Sequence, residues 1–258
     1  MGIDVGSTAS KCVIMKDGQE IVAKSLVPVG TGTSGPARAI AEVLDNAKMT
    51  REQMDFVLAT GYGRNSLDGL ADLQMSELSC HAKGATYLFP DVHTVVDIGG
   101  QDVKVIEIEN GMMKNFVMND KCAAGTGRFF EAMARSFELS LPEFSKLSLT
   151  AKNVIPITAQ CTVFAESEVI TLVGEGKPMD EIAAGIEMAV AKRCFVMAKK
   201  AGATDSITLT GGCAKNDGLK EAIEHVLKLK VVNLKTDPQL MGALGAAEYA
   251  RQKGLAKK

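Results

Sequence analysis

The chain has 258 residues, of which 46% are hydrophobic, and a formal net charge of −2. This composition can supply one large globular core or two smaller ones, and the nearly balanced charge gives no basic field for nucleic acid. The N-terminus has no apolar run long enough for a signal peptide or a membrane span. We therefore expect a cytoplasmic protein with no nucleic-acid partner and no membrane partner.

The apolar pattern and the turn residues predict elements in the order βββαβα, followed by a second start of the same kind. The first set has strands at 3–5, 12–16, 20–27 and 56–60 and helices at 35–47 and 76–89. The second set has strands at 94–98, 103–109, 111–119 and 207–210 and helices at 126–137, 142–146, 165–175, 178–201, 216–227 and 238–253. The repetition predicts an α/β protein with duplicated units, divided into residues 1–91 and 92–237.

Two turns of the same chemistry accompany the first strand of each set. GIDVGSTASK occupies residues 2–11 and DIGGQDVK residues 97–104. In each, an aspartate (Asp4 or Asp97) at the end of a strand can hold a divalent cation through its water shell. Glycines then let the backbone approach a phosphate closely, and backbone N–H groups and hydroxyls can cradle its oxygens. Two such turns facing each other would grip one triphosphate.

The candidate phosphate contacts are Gly6, Ser7, Thr8, Ala9, Ser10 and Lys11 in the first turn and Gly99, Gly100, Gln101, Asp102 and Lys104 in the second. Either lysine could instead be a solvated strand residue. Gln101 is the candidate for orienting the attacking water, because an amide can do so without becoming charged. A structural polar role explains Gln101 equally well.

A third turn follows the strand at 207–210. Gly211 and Gly212 come directly after it, and Asn216 stands at the start of the next helix. A flat purine ring could slide past a backbone without side chains, although a tight turn between strand and helix would use the same glycines.

The three turns together resemble the superfamily of acetate and sugar kinases, Hsp70 and actin. The resemblance implies a two-lobed α/β fold with ATP in the cleft, where the first two turns contact phosphates and the third contacts adenosine. It also implies that Asp4 and Asp97 organise Mg²⁺ and its waters, and that the helix at 238–253 returns to the first lobe.

Six cysteines without CxxC spacing argue against a disulfide framework. Cys122 lies in a Gly-rich loop before an amphipathic helix, and Cys161 is predicted at the end of a strand with a helix following. A helix N-terminus favours the thiolate, which is the metal-binding form of cysteine. Cys12 and Cys194 are predicted to be core residues.

Two thiolates do not complete a cubane iron–sulfur cluster, which normally takes four cysteines. A two-fold homodimer would supply the other two. The alternative is that Cys122 and Cys161 are ordinary buried or reactive thiols. The neighbours Cys80 and His81 look like a metal pair, but adjacent residues on a helix do not face one ligand well.

Four segments resemble the activator component of 2-hydroxyacyl-CoA dehydratases, also called component A or archerase. They are GTGTSGPARAI (30–40), ATGYGRNSLDGLADLQMSELSCHAKGA (59–85), NDKCAAGTGRFFE (119–131) and CTVFAESEV (161–169). The ATPase subunits of benzoyl-CoA reductase are similar, and the match runs nearly end to end. It implies that Cys122 and Cys161 bind one [4Fe-4S] cluster at a homodimer interface. Cys213 departs from the family, where a small apolar residue is more usual.

The resemblance implies an ATP-driven one-electron donor. Ferredoxin or flavodoxin would reduce the cluster, and the electron would pass to the partner dehydratase. Three alternatives stay open: a benzoyl-CoA reductase subunit, a small-molecule kinase with Asp68 or Asp72 as base, and a nucleotide-switched assembly protein. The last has no account of the two cysteines.

Overall fold

In the computed structural model, structure is described for residues 1–17, 20–67, 69–159, 161–203 and 205–256. Asp68, one candidate base of the kinase alternative, lies outside these residues. Over the described chain, the strands are β1 (Gly2–Val5), β2 (Ser10–Lys16), β3 (Glu20–Val27), β4 (Leu58–Thr60), β5 (Leu73–Gln74), β6 (Thr94–Ile98), β7 (Val103–Glu109), β8 (Met112–Asn119), β9 (Ile207–Thr210) and β10 (Val231–Val232). The helices are α1 (Gly35–Ala47), α2 (Glu77–Leu88), α3 (Gly127–Ser136), α4 (Leu141–Ser148), α5 (Thr162–Gly174), α6 (Met179–Ala201), α7 (Asp217–Leu227) and α8 (Met241–Leu255).

Two five-stranded sheets repeat one topology. The first has the order β3-β2-β1-β4-β5, and the second has the matching order β8-β7-β6-β9-β10. In each sheet the first strand pairs antiparallel with the second and parallel with the fourth. The second sheet's unit inserts α3 to α6 where the first has α1 alone. The duplicated βββαβα pattern predicted from the sequence is thus present in the strand order of both sheets.

The chain divides into two compact units. One contains Met1–Val92, Ile108–Lys114 and the C-terminal segment from Leu234, and the other contains His93–Glu107 and Asn115–Asn233. In the first unit, Cys12 and Ile14 pack in a core with α1, whereas Val13 between them packs in a core with α8. This alternation follows from the two-residue period of a strand. The predicted core position of Cys12 is therefore confirmed.

The second unit has its own core around three phenylalanines, where the rings of Phe130 and Phe137 both meet Phe144 edge to face. Cys194 of α6 belongs to the same core, as predicted. The long helix α6 has Asp180 and Glu181 in its first turn and lysines in its last, and these charges complement the helix dipole.

Most predicted elements are confirmed within two residues, and the strand predicted before Cys161 is absent. Residues 154–159, before Cys161, belong to no strand, and α5 begins at Thr162 rather than at 165. Ile155, Ile157 and Ala159 pack against the second core without belonging to a strand. None of the helices in the described part of the chain has the length and hydropathy that crossing a membrane requires.

Candidate functional site

The first turn joins β1 to β2 and is built on a buried ion pair. Asp4 lies opposite Lys11 in the antiparallel register, and Lys11 Nζ donates to Asp4 Oδ2 at 3.0 Å. Both side chains are buried, so the interpretation of Lys11 as a solvated residue is wrong. The Gly6 N–H closes the turn by donating to the Ala9 carbonyl at 2.9 Å.

The polar residues of this turn divide into two groups. Ser7 and Thr8 are half-buried at its tip, together with Gly6. Ala9 and Ser10 are buried, and Ser10 Oγ donates to the Val29 carbonyl at 2.9 Å. The structure therefore uses the Ser10 hydroxyl to attach the turn to the loop after β3.

The second turn, between β6 and β7, repeats this construction. Asp97 lies opposite Lys104 in the register, and Lys104 Nζ lies 3.4 Å from Asp97 Oδ2 and 2.7 Å from Asp102 Oδ1. Lys104 is buried, so the alternative of a solvated strand residue is wrong here too. The Gly99 N–H donates to the Asp102 carbonyl at 3.0 Å, and Gln101 is exposed at the tip.

A residue that the sequence analysis missed holds the second aspartate. Thr210, the last residue of β9, donates from Oγ1 to Asp97 Oδ1 at 2.7 Å. The available signal was a threonine at the end of the strand, directly before the glycine pair.

The third turn lies against the second. Gly211 has φ +83°, and a Cβ there would meet the Ile98 carbonyl and lie 2.9 Å from Asp97 Oδ1. Gly212 begins a short 3-10 turn, Gly212–Lys215, and Asn216 caps α7 by accepting from the Leu219 N–H at 2.9 Å. Gly211 is thus required both by its backbone conformation and by its closeness to Asp97.

The start of α3 connects the second turn to the segment that carries Cys122. The Gly127 N–H donates to the Gly99 carbonyl at 2.8 Å, and the Arg128 N–H donates to the Gly100 carbonyl at 3.0 Å. A Cβ on Gly127 would lie 3.2 Å from Gly100 Cα and 3.7 Å from Cys213 Sγ. The sequence showed only that Cys122 precedes a helix, not that this helix begins on the glycine turn.

The six cysteines separate into two kinds. Burial raises the pKa of each of four thiols to about 12, which keeps them neutral; these are Cys12, Cys80, Cys194 and Cys213. Cys122 and Cys161 are exposed. The alternative that Cys122 and Cys161 are ordinary buried thiols is therefore wrong.

Both exposed cysteines precede a helix in the second unit. Cys161 is the N-terminal flanking residue of α5, and Cys122 lies in the loop before α3, where Asn119 Nδ2 donates to its carbonyl at 3.0 Å. Arg193 of α6 lies within electrostatic reach of both. Burial lowers the pKa of its guanidinium, whereas a thiolate at Cys122 or Cys161 would act in the opposite direction.

Arg193 also packs on the residues around the Cys122 loop. Its guanidinium lies 5.9 Å from the centroid of the Phe129 ring, and a Cβ on Gly125 would lie 3.8 Å from its Cδ. Among the described residues, no three His, Cys, Asp or Glu side chains are grouped so that they could hold a metal ion. A metal group at these two thiols therefore needs further ligands.

Duplicated sheets with an aspartate–lysine turn after the first strand of each define an actin-like ATPase fold. A ROK family glucokinase from Streptomyces griseus, solved in complex with glucose and AMPPNP, shares this fold at a TM-score of 0.57 and 14% identity, over 97% of this chain and 98% of that one.

The chain belongs to the BadF/BadG/BcrA/BcrD ATPase family, whose model matches residues 1–250. It is 58% identical to the (R)-2-hydroxyglutaryl-CoA dehydratase activating ATPase of Acidaminococcus fermentans, over 98% of this chain and 97% of that protein. A solved activator of the 2-hydroxyisocaproyl-CoA dehydratase from Clostridium difficile, with bound ADPNP, has a TM-score of 0.94 and 44% identity, over 99% of this chain and 95% of that one. The resemblance to dehydratase activators is confirmed.

Proposed function

We propose that this protein is an ATP-dependent activator that delivers one electron to a 2-hydroxyacyl-CoA dehydratase. Two copies would hold one [4Fe-4S] cluster through Cys122 and Cys161 of each. The observation that carries the proposal is the separation of the cysteines into four buried thiols and two exposed ones, both of the latter within reach of Arg193.

The donor set fits such a cluster. A [4Fe-4S] cluster takes four cysteine thiolates, and one chain offers two exposed thiols with no third metal ligand grouped near them among the described residues. A two-fold homodimer doubles the set to four. Arg193 and the N-terminus of α5 would stabilise the negative charge of the ligands.

The exposed apolar surface beside Cys161 supports a position at an interface between two copies of the chain. Val163 and Phe164 follow it at the start of α5 and are 65% and 70% exposed. Large apolar side chains that stand together on a surface commonly mark an interface. A second copy seated on this end of α5 would cover them and bring its own two cysteines to the cluster.

The nucleotide turns would supply the ATPase activity. We assign Mg²⁺ and its waters to Asp4 and Asp97, and the phosphates to the N–H groups and hydroxyls of the turn tips. A side chain at Gly61 would press on Asp4 Oδ1, and one at Gly211 on Asp97 Oδ1. Both glycines let the backbone pass directly beside a carboxylate that a side chain would displace. Gln101, exposed at the second tip, is the candidate for orienting the attacking water.

The hydrogen bonds of Gly127 and Arg128 offer a route from nucleotide to cysteine. A movement of the Gly99–Gly100 turn would be carried by both bonds to the start of α3 and so to the Cys122 loop. When bound, the cluster would supply one electron at low potential. For a one-electron transfer, each tenfold change in the equilibrium constant corresponds to about 59 mV of reduction potential. ATP hydrolysis would provide the drive, and ferredoxin or flavodoxin the electron.

The similarity to named dehydratase activators favours this function over the kinase alternative. Asp72, a candidate base for a kinase, is engaged elsewhere: its Oδ2 accepts from the Val57 N–H at 2.7 Å and lies 3.7 Å from Arg51. These contacts give Asp72 a structural role in the first unit and count against the kinase alternative.

Iron analysis of anaerobically purified protein tests the proposal. The native protein should be brown, and Cys122→Ala and Cys161→Ala should each lose the iron while remaining folded, since each removes two of four thiolates from a symmetric dimer. Cys12→Ala and Cys194→Ala are matched controls that should keep the iron and cost only packing stability, about 1 kcal/mol or more. Near-full iron content in either ligand variant would overturn the proposal.

A further inference from the structure

His81 is a buried imidazole that the proposed function does not use. It lies on α2 and is 7% exposed. Helix α2 packs so closely on α8 that a Cβ on Gly245 would run into the Cys80 carbonyl. A Cβ on Gly84 would likewise run into the Met241 carbonyl. This contact between the two backbones brings His81 to the beginning of α8.

The beginning of α8 is also where the first aspartate lies. A Cβ on Gly242 would lie 2.7 Å from Asp4 Oδ2 and 3.0 Å from His81 Nε2. The carboxylate oxygen and the imidazole nitrogen therefore border the same small space, which exists because residue 242 has no side chain. Lys11 Nζ donates to the same oxygen at 3.0 Å.

We propose that His81 is a positioning residue that acts through Asp4 on Mg²⁺–nucleotide binding, an inference that rests on the proposed role of Asp4. Its Nε2 and the Lys11 ammonium would fix Oδ2 from two sides, so that the carboxylate keeps one orientation towards the water shell of the cation. Groups that orient a metal-organising carboxylate tune the affinity of the site although they never touch the metal.

The test uses two substitutions that differ by one methylene. The amide nitrogen of His81→Gln reaches about as far as Nε2, whereas that of His81→Asn falls short. The measured quantity is the gain in affinity for a non-hydrolysable ATP analogue when Mg²⁺ is added, obtained by calorimetry. We expect His81→Asn to reduce this gain about tenfold and His81→Gln to stay within about twofold of the native protein.

A double-mutant cycle separates positioning from a merely structural role. In an Asp4→Asn background, His81→Asn should have no further effect on the Mg²⁺-dependent gain. Thr86→Val controls for the packing of α2, because the Thr86 hydroxyl donates to the Ala82 carbonyl of its own helix; this variant should leave the gain unchanged. Melting temperatures show that each variant is folded.

Three results would overturn the inference without touching the proposed role of Asp4. The first is an unchanged Mg²⁺-dependent gain in His81→Asn, and the second is an effect that persists in the Asp4→Asn background. The third is an equal loss in the Asn and Gln variants, which excludes the role assigned to Nε2. If Asp4→Asn itself leaves the gain unchanged, the proposed role of Asp4 fails, and this inference fails with it.

Discussion

Glu187 is a carboxyl group inside the second unit, only 1% exposed. Ser148 Oγ donates to its Oε2 at 2.9 Å, and the Asn216 side chain also hydrogen-bonds to the carboxylate. Burial, helped by the nearby charges of Glu221 and Asp217 and opposed by the two hydrogen bonds, raises the pKa of Glu187 to about 7. Glu187, on α6, thus joins the cap residue of α7 to a carboxyl group that titrates near neutral pH.

The sign of the pH dependence follows from the raised pKa. Between the ordinary pKa of 4.5 and about 7, folded Glu187 holds a proton that the unfolded chain releases. Its contribution to stability therefore falls as pH rises through this window, by up to about 1.4 kcal/mol per pH unit. We predict that Glu187→Gln gains stability relative to the native protein from pH 5 to pH 7, and that the difference then levels off.

Urea unfolding of both proteins at several pH values measures this difference. Glu224→Gln is a control, because a hydrogen bond from Lys230 lowers the pKa of Glu224 from 4.5. Its effect on stability therefore changes with pH only below about 4.5, and from pH 5 to pH 7 its difference from the native protein should stay constant. Parallel stability curves for the native protein and Glu187→Gln would contradict the prediction.

At the scale of elements, the contact of α8 with α2 decides how the first unit is built. Gly245 lies so close to the Cys80 carbonyl that no side chain fits there. Gly254, on the same helix, has more room: its Cβ would lie 3.4 Å from Phe56 Cβ, an ordinary contact distance. Both glycines belong to one helix, but only at Gly245 does the packing exclude a side chain.

We predict opposite effects of alanine at these two positions. Gly245→Ala should destabilise the protein by about 1–3 kcal/mol or more, because the helices must separate. Gly254→Ala should be neutral or stabilising by up to about 1 kcal/mol, since alanine favours a helix over glycine. Chemical unfolding of the two variants gives both values, and equal destabilisation would show that the α2–α8 contact is not the cause.

At the scale of the whole molecule, the proposed cluster should make the proposed dimer sensitive to oxygen. A cluster shared by two chains is part of the contact between them, so its loss in air should loosen the dimer. Nucleotide binding should survive, because the turn with Asp4 and the turn with Asp97 each take their aspartate–lysine pair from a single chain.

Iron content and sedimentation before and after exposure to air, with binding of an ATP analogue alongside, measure these effects. A protein that stays brown for days in air would contradict a cluster at the surface between two copies. Loss of nucleotide binding together with the colour would contradict the independence of the two sites.

The sequence by itself determined the order of elements, the three glycine turns and the distinction of Cys12 and Cys194 as core residues. These properties depend on neighbouring residues, because periodicity and turn chemistry act over a few positions. The two-residue strands β5 and β10 were not predicted, since each exists only through pairing with a strand that is distant in sequence.

Only the tertiary structure decided which polar residues meet. It buried Lys11 and Lys104 against aspartates, directed Thr210 to Asp97, and brought His81 and Gly242 to Asp4. These partners lie between 7 and more than 200 residues apart along the chain. No local pattern records such a contact, because it arises when separate strands and helices pack and the buried charges must find partners.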